Sequence, residues 1–308
     1  MSFRSLSKSL RVAALLAAIL TVLTAPHANA GEGTFGWIYT LDLQPKGQWE
    51  AEQRVQLNQN QAAGTYQLWQ SRRELEYGVT DNFQLAGYVN ASRVDAKGNN
   101  TSCTGGEASC PYTSGYLVNN NNGNSNPYNK THYDGVSLEA IYRLTNPVTS
   151  PIGVGFYLEP TIGPTANELE ARLLLQSNFL DDKLVFAINL IAETSKERWT
   201  TDGSNGLESK LDTLLGVSYR FAPKWSGGVE ARQHNDFASW NFAQQTQSAW
   251  FVGPNLHYAD KSWWTTVAYR RQLPNAVCSN GGQTECSSYY AWDSHTTNEF
   301  ILKVGVPF

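Results

Sequence analysis

Apolar and polar residues alternate along most of this chain. At its end Phe300, Leu302, Val304, Val306 and Phe308 share one parity, and Glu299, Lys303, Gly305 and Pro307 share the other. Such alternation marks a β-strand that lays one face on an apolar medium. The rhythm recurs with turn residues between the runs, and helical periodicity is nearly absent. It predicts strands at 47–60, 65–78, 82–93, 133–144, 152–162, 167–179, 184–197, 207–221, 225–234, 248–258, 263–273 and 295–308.

The connections are unequal. After every second strand the turn is short: Val79–Asn82, then 145–151, 180–183, 222–224 and 259–262. The others are more variable and often longer, the extreme being 94–132 with its NNNNGNSN run. Short turns on one side and long loops on the other fit a closed, all-β antiparallel transmembrane β-barrel of about 12 strands. An even strand number places both termini on one side, the periplasmic one. A soluble sandwich or barrel also alternates, so alternation alone does not separate the two.

The aromatic residues discriminate better. Trp49, Tyr77, Phe83, Tyr142, Phe179, Phe221, Trp225, Tyr258 and Trp263 all fall on the apolar parity near the short-turn ends, and Phe308 joins them. Rings gathered at one level describe a membrane-interface girdle. At the rim of a soluble protein they would form a large exposed apolar patch. Closure then follows, because each backbone group left unpaired in hydrocarbon costs several kcal/mol, roughly.

Three stretches resist the pattern. Arg73 falls on the outward parity beside Arg72, which suggests a register-shifting bulge. Pro254 interrupts the tenth strand and removes a ladder donor. Residues 31–46, with Phe35, Trp37, Tyr39 and Leu41, read as a periplasmic extension or a plug, since a thirteenth strand would split the termini.

Charge and cysteine usage narrow the setting. Arg4, Lys8 and Arg11 precede an apolar core at Val12–Leu23, and Ala28-Asn29-Ala30 offers a cleavage site, so residues 1–30 read as a signal peptide. The remaining 278 residues carry 20 basic against 27 acidic side chains, a net of −7. That balance argues against nucleic acid as a partner. Cys103 with Cys110, and Cys278 with Cys286, form two local couples in polar stretches. Neither spacing matches a metal site, so two small disulfide loops are expected and no metal or other cofactor.

LQPKGQWEAEQ (43–53) and ELEYGVTDNFQLAGYVN (74–90) resemble a family of uncharacterised outer-membrane barrels from Gram-negative bacteria. Its members share a PKG…E.EQ leader and an ELEYG.TD hairpin. The resemblance covers the first three strands and implies fold and location, with no activity attached. The terminal Phe308 also resembles the signal by which such barrels are recognised by the insertion machinery.

The inward parity is densely charged. It carries Glu50, Glu52, Glu74, Glu76, Glu139, Glu159, Glu168, Glu170, Glu193, Glu208, Asp212, Glu230 and Glu299 against Arg54, Arg72, Arg143, Arg172, Lys210, Arg220, Arg232, Arg270 and Lys303. Charges at this density need water or one another. In the first reading they line a porin-like channel for small hydrophilic solutes, with a weak cation preference from the acidic excess. In the second they interlock, the barrel is closed, and the polar outer loops bind a partner or a surface. A third class, an outer-membrane hydrolase, would use His132 with Asp134, or His295 with Ser294, near the long-loop side. No GxSxG or HExxH occurs, so a non-enzyme is expected.

Overall fold

The computed structural model describes residues 33–61, 64–97, 128–164, 166–197, 206–280, 286–292 and 295–308. Eleven strands follow in order: β1 (Trp49–Gln59), β2 (Thr65–Thr80), β3 (Phe83–Lys97), β4 (Tyr128–Thr145), β5 (Gly153–Ile162), β6 (Ala166–Phe179), β7 (Leu184–Glu197), β8 (Leu207–Ala222), β9 (Trp225–Phe237), β10 (Gln245–Ala259) and β11 (Trp264–Gln272). Three two-residue strands, β12 (Val277–Cys278), β13 (Cys286–Ser287) and β14 (Tyr290–Ala291), precede β15 (Asn298–Pro307). Each long strand pairs antiparallel with its neighbours in sequence. Strand β15 closes the ring by pairing with both β11 and β1. The result is a closed barrel of twelve long strands. Its seam brings the ends together: Phe308 donates its N–H to Trp49 O at 2.8 Å, and Trp49 donates to Phe308 O at 3.2 Å.

Burial is inverted relative to a soluble protein. Leu138, Ile162, Leu144 and Phe156 are 68, 65, 58 and 51% exposed on the outer face, whereas Glu50, Glu139 and Glu230 are at most 2% exposed inside. A ring of outward Leu, Val, Ile and aromatic side chains on every wall strand is far larger than the apolar patch a soluble monomer carries.

Several strands run past their expected ends toward the long loops. Strand β3 extends to Lys97, β4 begins at Tyr128, β9 reaches Phe237 and β10 starts at Gln245. Pairing continues there through stretches that mix polar residues with a few apolar ones such as Val94, Ala96 and Phe237, too short a pattern for hydropathy to mark. The bulge expected at Arg72–Arg73 does not exist. Pairing of β2 with both neighbours is uninterrupted through these residues, and the irregularity falls instead at Gly78/Thr80. Arg73 therefore points outward, its Nε donating to Gln53 Oε1 at 3.3 Å. Pro254 sits where the β10–β11 ladder skips two residues, while on its other side it stays in register with Val229. Its missing N–H faces that gap. The Asn90/Ala91 irregularity between β3 and β4 lies opposite Gly135, whose φ of 130° favours glycine.

Residues 33–48 do not join the wall. They run through the barrel interior and carry the two largest apolar clusters among the described residues. Phe35, Trp37 and Ile38 pack on Ala187, Ile191, Leu214, Ala268 and Ile301. Leu41 and Leu43 pack on Ile141, Tyr157 and Leu174. Gly216 admits the segment: a Cβ there would come within 2.7 Å of the Phe35 ring.

Candidate functional site

The interior is an extended peptide held by wall side chains. An extended backbone inside a barrel exposes N–H and C=O groups that must be paired. The Glu230 carboxylate accepts from Gly36 N at 2.6 Å and Trp37 N at 3.0 Å. Asn189 imitates a neighbouring strand, accepting from Tyr39 N at 2.8 Å and donating to Tyr39 O at 2.9 Å. Gln176 accepts from Leu41 N at 2.6 Å, and Gln84 from Gln44 N at 2.7 Å. Arg143 donates to Leu41 O at 2.9 Å near the short-turn rim. Side chains of β3, β4, β6, β7 and β9 thus grip one segment from around the ring.

Around this segment the charges pair, most of them across adjacent strands. Arg72 meets Glu159 at 3.6 Å, Lys210 meets Glu193 at 2.9 Å, Arg232 meets Asp212 at 2.6 Å and Lys303 meets Glu52 at 3.1 Å. Arg172 with Glu170, and Arg270 with Glu299, complete the set. Strand pairing places Lys210/Glu193, Arg232/Asp212, Lys303/Glu52 and Arg270/Glu299 opposite or diagonal. Arg172 and Glu170 share one face of β6, and Arg72 on β2 reaches across the interior to Glu159 on β5. Aromatic faces cover some of the same cations: Arg72 lies 3.9 Å from the Tyr88 ring centre and Arg270 lies 4.1 Å from that of Trp37. Glu50 accepts from Trp264 Nε1 at 2.9 Å, and Glu139 accepts from the Tyr39 hydroxyl at 3.0 Å. A cavity of about 290 Å³ opens at the short-turn end beside Thr34 and Asp42, bordered by Asp182, Lys183, Arg220 and His257.

Most residues singled out from the charge pattern face this interior. Glu74 and Glu76 are buried and Arg54 is half-buried, but Glu208 is exposed at the long-loop end of β8. Trp49, Tyr77, Phe83, Phe179, Phe221, Trp225, Tyr258, Trp263 and Phe308 all lie at strand ends on the short-turn side. Trp49 and Tyr77 rings stand 4.5 Å apart, Trp225 and Tyr258 4.9 Å, and Tyr258 and Trp263 5.1 Å. Cys278 and Cys286 form a disulfide with a Cα separation of 5.9 Å, whereas Cys103 and Cys110 lie outside the described residues. His132 lies on β4 and His295 just before β15, with β1, β2 and β3 between them around the wall, so the two are not one constellation. Asp134 accepts from Ser92 Oγ at 3.1 Å, and Ser294 lies outside the described residues.

The sequence reading missed the wall residues that seat the inner segment. A signal exists: Leu173-Leu174, Leu190-Ile191, Leu214-Leu215 and Phe300-Ile301 are adjacent apolar pairs, where one residue of each breaks the alternation. Its inward member touches the segment, while its outward member stays on the apolar band.

The fold defines a class, a closed twelve-stranded barrel resembling outer-membrane proteins. The chain belongs to a family of unknown function, DUF6662, whose model matches residues 27–308. Among solved structures the COG4313 outer membrane channel from Pseudomonas putida F1 is similar at a TM-score of 0.51 and 12% identity, covering 86% of this chain and 96% of that one. The NanC porin follows at 0.49 and 10% identity, over 83% and 98%. The KdgM porin gives 0.46 and 11%, over 84% and 99%. No curated protein matches it in sequence.

Proposed function

We propose that this protein is an outer-membrane channel for small hydrophilic solutes, closed in this state by its own N-terminal segment. In this reading residues 1–30 are removed near Ala30, both termini and the short turns face the periplasm, and the long loops face outward. Phe308 serves insertion, and the aromatic ring at the short-turn end meets the lipid interface. The supporting observation is the lining. A membrane barrel carries a polar interior that is either hydrated or interlocked, and a lining with amides and carboxylates that hold a removable segment suits a passage. Here the wall presents carboxylates, guanidinium groups and amides, and residues 33–48 supply the apolar side chains of the two largest buried clusters among the described residues. Each polar anchor of that segment exchanges readily for water, at a net of about 0.5–1.5 kcal/mol per hydrogen bond. Its apolar contacts with Phe35, Trp37 and Leu41 hold it more firmly.

The experiment is planar-bilayer recording on full-length protein and on a variant lacking residues 33–44. Full-length protein is expected to give rare, small steps and the deletion variant large, long-lived ones. A correctly folded deletion variant that stays silent overturns the reading. That outcome favours the second reading, a closed barrel whose outer loops bind a partner, to which the filled interior and the disulfide-stapled β12–β14 region also lend support.

A further inference from the structure

At the long-loop end of β9, two histidines and an aspartate converge. Asp236 Oδ2 lies 2.8 Å from Nε2 of His234 and 3.2 Å from Nε2 of His295. All three donor atoms fall within 4.8 Å of one another, and the imidazole rings stand 4.4 Å apart, edge to face. His234 is 0% exposed and His295 6%. The separations suit one shared ion. Bonds of about 2.0–2.2 Å at tetrahedral angles put ligand atoms about 3.3–3.6 Å apart, so Asp236 and His234 would part slightly to admit it.

The state of His234 points the same way. With its proton on Nδ1, 2.6 Å from Asp212 Oδ1, His234 would turn the Nε2 lone pair toward Asp236 and an ion. Despite the short approach to Asp236, this buried Nε2 makes no hydrogen bond among the described residues. Asp212 stands in the place of the outer carboxylate that orients a metal-bound histidine. Arg232 donates Nε to the other Asp212 oxygen at 2.6 Å and brings Nη2 to 2.6 Å from Nδ1, so Asp212 and Arg232 nearly cancel in charge and the Asp236 carboxylate remains for an ion.

We propose that His234, Asp236 and His295 bind one divalent transition-metal ion of the zinc type. One strand supplies two ligands on one face, because alternate residues share a face. The third comes from the segment that enters β15, so the ion ties that segment to the β9 wall at the long-loop mouth.

The test uses full-length protein in detergent, stripped with chelator and titrated with zinc chloride alone. Calorimetry is expected to give one ion per barrel, and X-ray absorption two imidazole nitrogens. His295→Ala and His234→Ala each weaken binding at least about 100-fold, and Asp212→Asn weakens it by about 10–100-fold. His132→Ala leaves binding unchanged. Heat-modifiable migration on gels verifies that each variant is a folded barrel. His295 is outside the wall strands, so its variant keeps the test decisive should His234→Ala not fold. No uptake by folded wild type, uptake indifferent to His295→Ala, or nitrogen-15 spectra with protons on both His234 nitrogens in excess zinc would each overturn the proposal.

Discussion

Arg73 is the residue whose placement most strains the membrane reading, and so tests it best. It stands on the outer face of β2, four positions from Tyr77 at the short-turn rim and four from the outward Trp69 on the other side, and Trp69 is 41% exposed. An arginine facing lipid at the midplane costs about 2–4 kcal/mol. Gln53 offers it one hydrogen bond, and Gln53 Nε2 also donates to Ser71 Oγ at 3.1 Å, so a small polar island lies on the apolar wall. Arg73→Leu should raise unfolding stability in lipid vesicles by roughly 2 kcal/mol, measured by guanidinium titration. A loss of stability would show that the island has a lateral partner in the membrane. The outward parity of Arg73 was legible in the sequence. Its consequence was not, because a bulge and a paid-for exposure give the same alternation until pairing partners are known.

At the scale of elements, the wall and the inner segment differ in what holds them. Wall strands are tied by continuous ladders, and their proline and glycine irregularities fall where a ladder skips. Residues 33–48 have no ladder, and wall side chains substitute for one. Asn189 carries the largest share at one residue, since it closes both backbone groups of Tyr39. Asn189→Ala should loosen the segment by about 1–2 kcal/mol, read as roughly tenfold faster hydrogen exchange at the Tyr39 amide with the barrel ladder unchanged. Equal exchange in both proteins would mean that apolar packing of Trp37 and Leu41 alone seats the segment. Either a plug or an extension was compatible with the sequence here, because six apolar residues in sixteen do not say which surface receives them.

For the whole molecule, the proposed channel makes a prediction about selectivity from the lining. Most basic side chains inside are matched by an acid, and further carboxylates, Glu50, Glu139 and Glu230 among them, accept hydrogen bonds from neutral donors instead. When the inner segment leaves, Glu230 and Glu139 lose those donors and face water. The deletion variant should then prefer cations over anions weakly, seen as a reversal potential of the cation-selective sign in a potassium chloride gradient. Anion preference would show that the arginines, not the carboxylates, set the field along the opened path.

The alternation, the even set of strands, the unequal connections and the aromatic ring near the short turns were all properties of local sequence. Successive side chains of a strand point to opposite faces whatever the rest of the chain does, so a two-faced wall is written residue by residue. What fills the barrel, which acid meets which base, and the meeting of His234 with His295 were decided by tertiary structure. Gly36 and Glu230 stand 194 residues apart in the chain and 2.6 Å apart in space. Only closure of the ring, which fixes every strand against two neighbours, brings such residues to a common interior.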